Sequence, residues 1–138
     1  MTRKIIGAAG MLIVVATTNA WAGETEDAEN ARELAKALQE HMVATYSCQK
    51  YQGGVAYYRA AKLLAVETYT RLTRDRNQAV LAIDRVEQKI KETKADERLE
   101  AQFKKDNLSY VDGVGACQTL TAESGDKVAL LRAKLNLL

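Results

Sequence analysis

The chain has 138 residues without proline, and its 20 Lys and Arg residues nearly balance its 18 Asp and Glu residues. The small positive excess lies in Arg3 and Lys4, so residues 23–138 carry 18 charges of each sign. A balanced charge gives no net field for phosphate groups, and this argues against nucleic-acid binding.

The first 22 residues have the three parts of a cleavable secretory signal. Two cations precede an apolar run over residues 5–16, and Ala-Trp-Ala at positions 20–22 has the small-x-small pattern of a cleavage site. The run is too short for a membrane-spanning helix, which needs roughly 20 residues. We therefore expect a signal peptide over residues 1–22, export to the periplasm or secretion, and no stable membrane span after cleavage. The other interpretation is an uncleaved N-terminal anchor.

Residues 23–138 have the composition of a single all-α domain. Strong helix formers dominate, and no segment alternates polar and β-branched residues as a half-buried strand does. Acidic residues suit a helix N-terminus, so we expect the first helix to begin near Asp27 or Glu29. Its apolar positions from Ala31 to Met42 follow the three-four spacing of one buried face.

Glycines mark the expected breaks further along the chain. The Gly53-Gly54 pair either ends the first helix or only kinks it, and Gly125 is expected to separate the last helix from the one before. The expected helical segments between these breaks cover about residues 55–72, 77–94 and 96–105, with a pattern that continues through Cys117. The sequence therefore predicts a four- to five-helix bundle.

Cys48 and Cys117 are the only cysteines, and cysteines of an exported chain usually pair. We expect one disulfide that staples the bundle, worth roughly 4 kcal/mol in the chain-entropy model. From the helical phase of its neighbours, it should join the second helical region to the fourth inside a tyrosine-lined core.

The tyrosines give the candidate functional surface. Tyr51 and Tyr58 share the helical face of Cys48, so we expect them to pack in the core. Tyr57 cannot share that face, and the spacing gives Tyr46 no clear core position either. Because tyrosine gives a large contact area at low entropy cost, Tyr46 and Tyr57 are the candidate partner surface.

No catalytic or cofactor-binding set is apparent in the sequence. His41 is the only histidine, and nothing in the sequence places a serine beside it as a nucleophile. Metal binding is not expected, because there is no second histidine and both cysteines should be oxidised. Haem is not expected either, since Met42 is the only methionine after cleavage and adjoins His41. We therefore expect no catalytic residues, no cofactor and no metal.

Two short segments resemble known families. Residues 46–51 (YSCQKY) resemble the aromatic-x-Cys-x-x-aromatic opening of the HdeA-type periplasmic acid-stress chaperones. Residues 114–117 (VGAC), followed by 126–128 (DKV), are similar to the second cysteine and following helix of that family. Residues 48–55 (CQKYQGGV) resemble the Cys-x-x-Tyr-x-x-Gly-Val element of the Tai-type immunity proteins of type VI secretion. Each resemblance covers only a handful of residues.

These observations lead to one main functional hypothesis and two alternatives. The main hypothesis is an exported, non-enzymatic protein-interaction module, chaperone-like or stress-related, whose protein partner is unknown. The first alternative is a dedicated inhibitor or immunity-type protein that binds one partner, and the second is a small enzyme without a recognisable motif. The sequence leaves a homodimer open.

Overall fold

Residues 25–138 are the part of the chain that the computed structural model describes, so the expected signal peptide at residues 1–22 lies outside it. The elements are α1 Thr25–Ser47, a 3₁₀ turn Gln49–Tyr51, α2 Ala56–Thr73, α3 Arg76–Glu92, α4 Ala95–Lys105 and α5 Tyr110–Lys134. The predicted all-α class and the disulfide-stapled bundle are confirmed, with five α-helices over this range. None of these helices is both long and apolar enough to cross a membrane.

Helix α1 is the central element of the bundle. It packs most extensively against α5 and α2, and it also contacts α4 and α3. The three-four spacing of its apolar residues is confirmed, because Leu34, Leu38 and Met42 are fully buried in the main core. The helix begins at Thr25, slightly before the expected start, with Glu26 and Asp27 in its first turn.

Helices α2 and α3 pack against each other and are joined by a very short connection. Arg74 takes the left-handed conformation that ends α2, with φ of 59°. Asp75 then caps α3, because its carboxylate accepts a hydrogen bond from the Gln78 backbone N–H at 3.1 Å. Tyr69 of α2 and Ile83 of α3 are both buried in the main core.

The Gly53-Gly54 pair separates α1 from α2 rather than kinking one helix. Helix α1 ends at Ser47, and the 3₁₀ turn Gln49–Tyr51 follows Cys48. Gly53 and Gly54 have φ values of +80° and +127°, which L side chains rarely adopt. Two glycines are therefore required for the chain to turn into α2.

The Cys48–Cys117 disulfide is confirmed, with an S–S distance of 2.05 Å and both residues fully buried. Its expected position in the bundle was wrong. Cys48 directly follows α1 and Cys117 lies within α5, so the bridge joins the end of the first helix to the fifth. The prediction read the helical phase of Cys48 through the glycine pair to Tyr58, but the chain turns at that pair, so Cys48 belongs to the end of α1. The break between α4 and α5 was not predicted, so Cys117 lies in the fifth helix instead of the fourth.

A small aromatic cluster surrounds the disulfide, apart from the main core. Tyr51 lies edge-on to Phe103 and stacks on Tyr110, with ring centroids 5.3 and 5.5 Å apart. Tyr58 does not belong to this cluster, because it is buried in the main core instead. Helix α4 has no fully buried residue: Leu99 and Phe103 pack against the disulfide cluster, Ala95 packs against the main core, and Glu100 forms an exposed ion pair with Lys50.

Helix α5 runs without interruption through Gly125, so the predicted break at this glycine was wrong. The helix packs Gly125 against α1, where an added Cβ would lie only 3.3 Å from Cε1 of His41. The glycine therefore makes room for the His41 ring instead of ending a helix. Ser124 contacts His41, and the N-cap of α5 is Ser109 in a capping box.

Candidate functional site

A groove of about 420 Å³ opens between α2 and α5, with α1 at its floor. Its α2 wall is formed by Tyr57, Ala60, Ala61 and Leu64, which lie three or four residues apart and so share one helical face. Tyr57 stands at the rim with 58% of its surface exposed. We name this feature the Tyr57 groove.

The opposite wall of the Tyr57 groove is formed by Gln118, Thr121 and Ala122 of α5, again at three- and four-residue spacing. His41 and Thr45 of α1 line the floor, one helical turn apart. The groove exists because α2 and α5 both pack on α1 more extensively than on each other. The central helix thus holds the two walls apart.

His41 connects the floor of the groove to α5. Its Nδ1 lies 2.7 Å from the Ser124 Oγ, and the Ser124 hydroxyl donates to the Thr121 carbonyl oxygen at 3.2 Å. The direction of the bond between His41 and Ser124 depends on which ring nitrogen carries the proton. Burial lowers the pKa of His41 below its ordinary value of 6.5, so the ring is neutral at pH 7.

A second hydrogen bond closes one end of the groove. Gln52, which follows the 3₁₀ turn, donates from Nε2 to the Thr121 Oγ1 at 2.9 Å. Thr121 in turn donates to the Cys117 carbonyl oxygen at 2.8 Å. Gln52 Oε1 is buried and accepts no hydrogen bond from the described residues.

The lining of the Tyr57 groove is uncharged. Alanine, leucine, threonine, glutamine and tyrosine side chains form it together with the neutral His41. A charged ligand group placed there would lose water without gaining an opposite charge from these residues. The groove therefore suits an apolar or neutral polar surface.

The structure separates the two tyrosines of the predicted partner surface. Tyr57 stands at the rim of the groove, whereas Tyr46 does not line it. Tyr46 is partly buried and lies edge-on to the buried Tyr58, with ring centroids 5.3 Å apart. Tyr51 and Tyr58 are buried as predicted, although the chain turns between them and they do not share one helix. A partner-binding role for Tyr46 or Tyr57 stays a prediction.

A polar cluster between α2 and α3 lies outside the groove. Glu87 accepts hydrogen bonds from the Tyr58 hydroxyl at 2.8 Å and from the Lys62 ammonium at 2.9 Å. Lys62 also pairs with Asp84 at 3.2 Å. Burial alone would raise the pKa of Glu87, but the hydrogen bonds from Lys62 and Tyr58 outweigh it and lower the pKa. Burial raises the pKa of Tyr58, and the bond to Glu87 raises it further.

The contact between His41 and Ser124 was missed at the level of sequence. The two residues are 83 positions apart, and only the packing of α5 on α1 brings them together. The Ser124 Oγ lies within hydrogen-bond distance of both the His41 ring and the Thr121 carbonyl oxygen, at 2.7 and 3.2 Å. Within residues 25–138, His, Cys, Asp and Glu side chains form no group that could hold a metal ion.

Comparisons with known proteins match no family model, no curated protein and no solved structure to this chain. The two short resemblances at residues 46–51 and 48–55 therefore gain no support from these comparisons. The candidate site is defined by its own geometry alone: a preformed, uncharged groove with an exposed tyrosine at its rim.

Proposed function

We propose that this protein is an exported, non-enzymatic interaction module that binds a protein partner through the Tyr57 groove. The observation that carries the proposal is the groove itself, which combines an uncharged lining with an exposed tyrosine. Tyrosine is enriched among the residues that dominate binding energy at interfaces, where it fills or borders desolvated pockets. The signal-like sequence of residues 1–22 and the disulfide support an oxidising compartment outside the cytoplasm.

The rigidity of the site favours a dedicated inhibitor or immunity-type protein as a second candidate beside the chaperone-like binder. The groove is built on the central helix, and its α5 wall is tied by Cys117 to the end of α1. A site that is held in this way loses little conformational entropy on binding, which favours tight association with one partner. A chaperone-like binder instead requires weak contacts with many clients.

A pull-down separates these two candidates. Residues 23–138 with the disulfide oxidised are immobilised and incubated with a periplasmic or secreted extract from the source organism. One partner recovered in stoichiometric amount supports the dedicated binder, and many substoichiometric clients support the chaperone-like module. If neither pattern exceeds the recovery on a disulfide-oxidised Tyr57→Ala control, the groove is not the binding site and the proposal is wrong.

A further inference from the structure

The Cys48–Cys117 disulfide is closed off from solvent in the folded protein. Both cysteines have 0% of their surface exposed, and they form a small buried cluster with Tyr51. Within residues 25–138, three partly buried apolar side chains pack against this cluster, and two of them, Leu99 and Phe103, belong to α4. Helix α4 therefore forms a large part of the cover over the disulfide.

Helix α4 is attached to the bundle by contacts that are all partly exposed. Each of its residues keeps some solvent exposure, and Ala95 packs only as a partly buried residue at the edge of the main core. The ion pair between Lys50 and Glu100 is exposed, and pairs of this kind contribute little to stability. The tertiary packing of α4 therefore depends mainly on Leu99 and Phe103.

The helix is also weakly stabilised from within. It has 11 residues, and isolated helices shorter than about 12–15 residues are marginal in water. Lys94 occupies its N-cap position and makes no side-chain hydrogen bond to the first turn, whereas Asp75 and Ser109 cap α3 and α5. Once detached from the bundle, α4 should therefore unfold instead of persisting as a free helix.

The main core is independent of α4. Its buried residues come from α1, α2, α3 and α5, and the disulfide cluster is separate from it. Lys94 and Asn107, in the connections before and after α4, have left-handed conformations with φ of 54° and 57°, so α4 is not continuous with its neighbours. A segment of this kind can open as a unit of its own, at a lower free energy than global unfolding.

We infer that α4 is a movable cover, which opens by local unfolding and admits thiols to the Cys48–Cys117 disulfide while the rest of the bundle stays folded. Thr121 lines the Tyr57 groove one helical turn after Cys117, so the disulfide ties the α5 wall of the groove to the end of α1. The opening of α4 therefore controls whether a thiol reaches this tie, which makes it a redox-sensitive element of the fold. The inference does not depend on the proposed partner.

Dithiothreitol, a small dithiol, is the probe of the opening. One of its thiolates attacks a cysteine sulfur, forms a mixed disulfide and releases the other cysteine as a thiolate. Its second thiol then attacks the mixed disulfide, so the reagent leaves as a cyclic disulfide and its two protons pass through solvent to the two cysteine thiols. Because the attack requires contact with a buried sulfur, its rate at low reagent concentration follows the population of the open form.

A pair of variants separates local opening from global unfolding. Residues 23–138 with the disulfide oxidised are treated with dithiothreitol without denaturant, and free thiols are alkylated and counted by mass spectrometry. Leu99→Ala removes packing of the cover but keeps its helix propensity, so reduction should become about five- to thirtyfold faster. Ile83→Val is the control in the main core: it should raise the globally unfolded population about two- to tenfold and leave the reduction rate unchanged.

Hydrogen exchange measured by mass spectrometry observes the cover directly and needs no variant. Amides of α4 in the wild type should exchange faster than those of α1 and α3, because the opening exposes α4 alone. In Leu99→Ala the exchange of α4 should accelerate further, while that of α3 stays the same.

Each result supports or overturns the movable cover. Faster reduction of Leu99→Ala, an unchanged rate for Ile83→Val and fast exchange of α4 support it. If Ile83→Val accelerates reduction as much as it raises the unfolded population, thiols reach the disulfide by global unfolding and the inference is wrong. If neither variant changes the rate, thiols reach the disulfide in the folded state and α4 is not its cover. Exchange of α4 as slow as that of α1 overturns the local opening.

Discussion

Replacing Gly113 by alanine should destabilise the protein, whereas the same change at Gly115 should stabilise it. The two glycines are two positions apart in α5 and both have helical backbone conformations. A Cβ at Gly113 would lie 2.7 and 3.0 Å from two ring atoms of Tyr51 and 3.2 Å from Phe103. A Cβ at Gly115 would meet nothing within 4 Å.

Both variants gain helix stability from the alanine, but only Gly113→Ala overpacks the aromatic cluster. Alanine in place of glycine within a helix gains roughly 0.5–1 kcal/mol. At Gly113 the new methyl overpacks a cluster in which Tyr51 is buried and held between Phe103 and Tyr110, so the ring has little room to shift. Overpacking of this kind costs roughly 1–3 kcal/mol. The two variants should therefore differ in stability by about 1–3 kcal/mol.

Urea denaturation monitored by circular dichroism measures this difference. Residues 23–138, with the disulfide oxidised, are unfolded at pH 7, and the unfolding free energies are obtained by linear extrapolation. Gly115→Ala should raise the unfolding free energy by roughly 0.5–1 kcal/mol, and Gly113→Ala should lower it. If both variants gain the same stability, the close packing of Tyr51 against α5 is wrong.

Three further predictions concern the charged cluster, the histidine and the disulfide. The pKa of Glu87 lies below its ordinary 4.5 in the folded state, so its stabilisation is present above that pH and is lost as the pH falls through the folded value. Glu87→Gln should therefore be less stable than the wild type at pH 7, and the difference should shrink as the pH falls below 4.5. The pKa of His41 is lowered below 6.5, so stability should fall as the pH drops from 6.5 toward the folded value, and proton NMR of the only histidine should give a midpoint below 6.5. Replacing Cys48 and Cys117 together by alanine should lower the unfolding free energy by roughly 4 kcal/mol, because the bridge spans 69 residues.

These three predictions have clear contrary results. A stability gap between Glu87→Gln and the wild type that persists unchanged at pH 2 would show that the gap does not arise from ionisation of Glu87. A His41 midpoint at or above 6.5 would contradict its burial against α5. For the disulfide, the control is the wild type unfolded under reducing conditions, which should match the double variant. If the oxidised wild type is no more stable than the reduced wild type or the double alanine variant, the disulfide does not stabilise the fold.

The sequence predicted those parts of the fold that depend on local pattern. The buried face of α1 followed from three-four spacing, because that spacing is how a helix meets a core. The exposure of Tyr57 and the burial of Tyr58 followed from helical phase, since adjacent residues of a helix point about 100° apart. The disulfide followed from there being two cysteines in a chain with an export-like N-terminus.

The parts that could not be predicted depend on packing between distant segments. The sequence predicted a helix break at Gly125, but this glycine makes room for the His41 ring inside a continuous helix. The sequence alone does not distinguish these two roles of a glycine. The contact of His41 with Ser124 required the register of α5 on α1. The Tyr57 groove depends on the separation of α2 from α5, which no local pattern encodes.

The central claim is that the partner binds at the Tyr57 groove, and a comparison of Tyr57→Ala with Leu63→Ala tests it most directly. Both residues lie on α2 and are more than half exposed, so neither change should unfold the protein. Partner recovery in the pull-down is quantified for each variant against the wild type. We predict that Tyr57→Ala reduces the affinity by about tenfold or more, as loss of a tyrosine anchor does, while Leu63→Ala leaves it unchanged. Equal recovery by both variants would contradict the account.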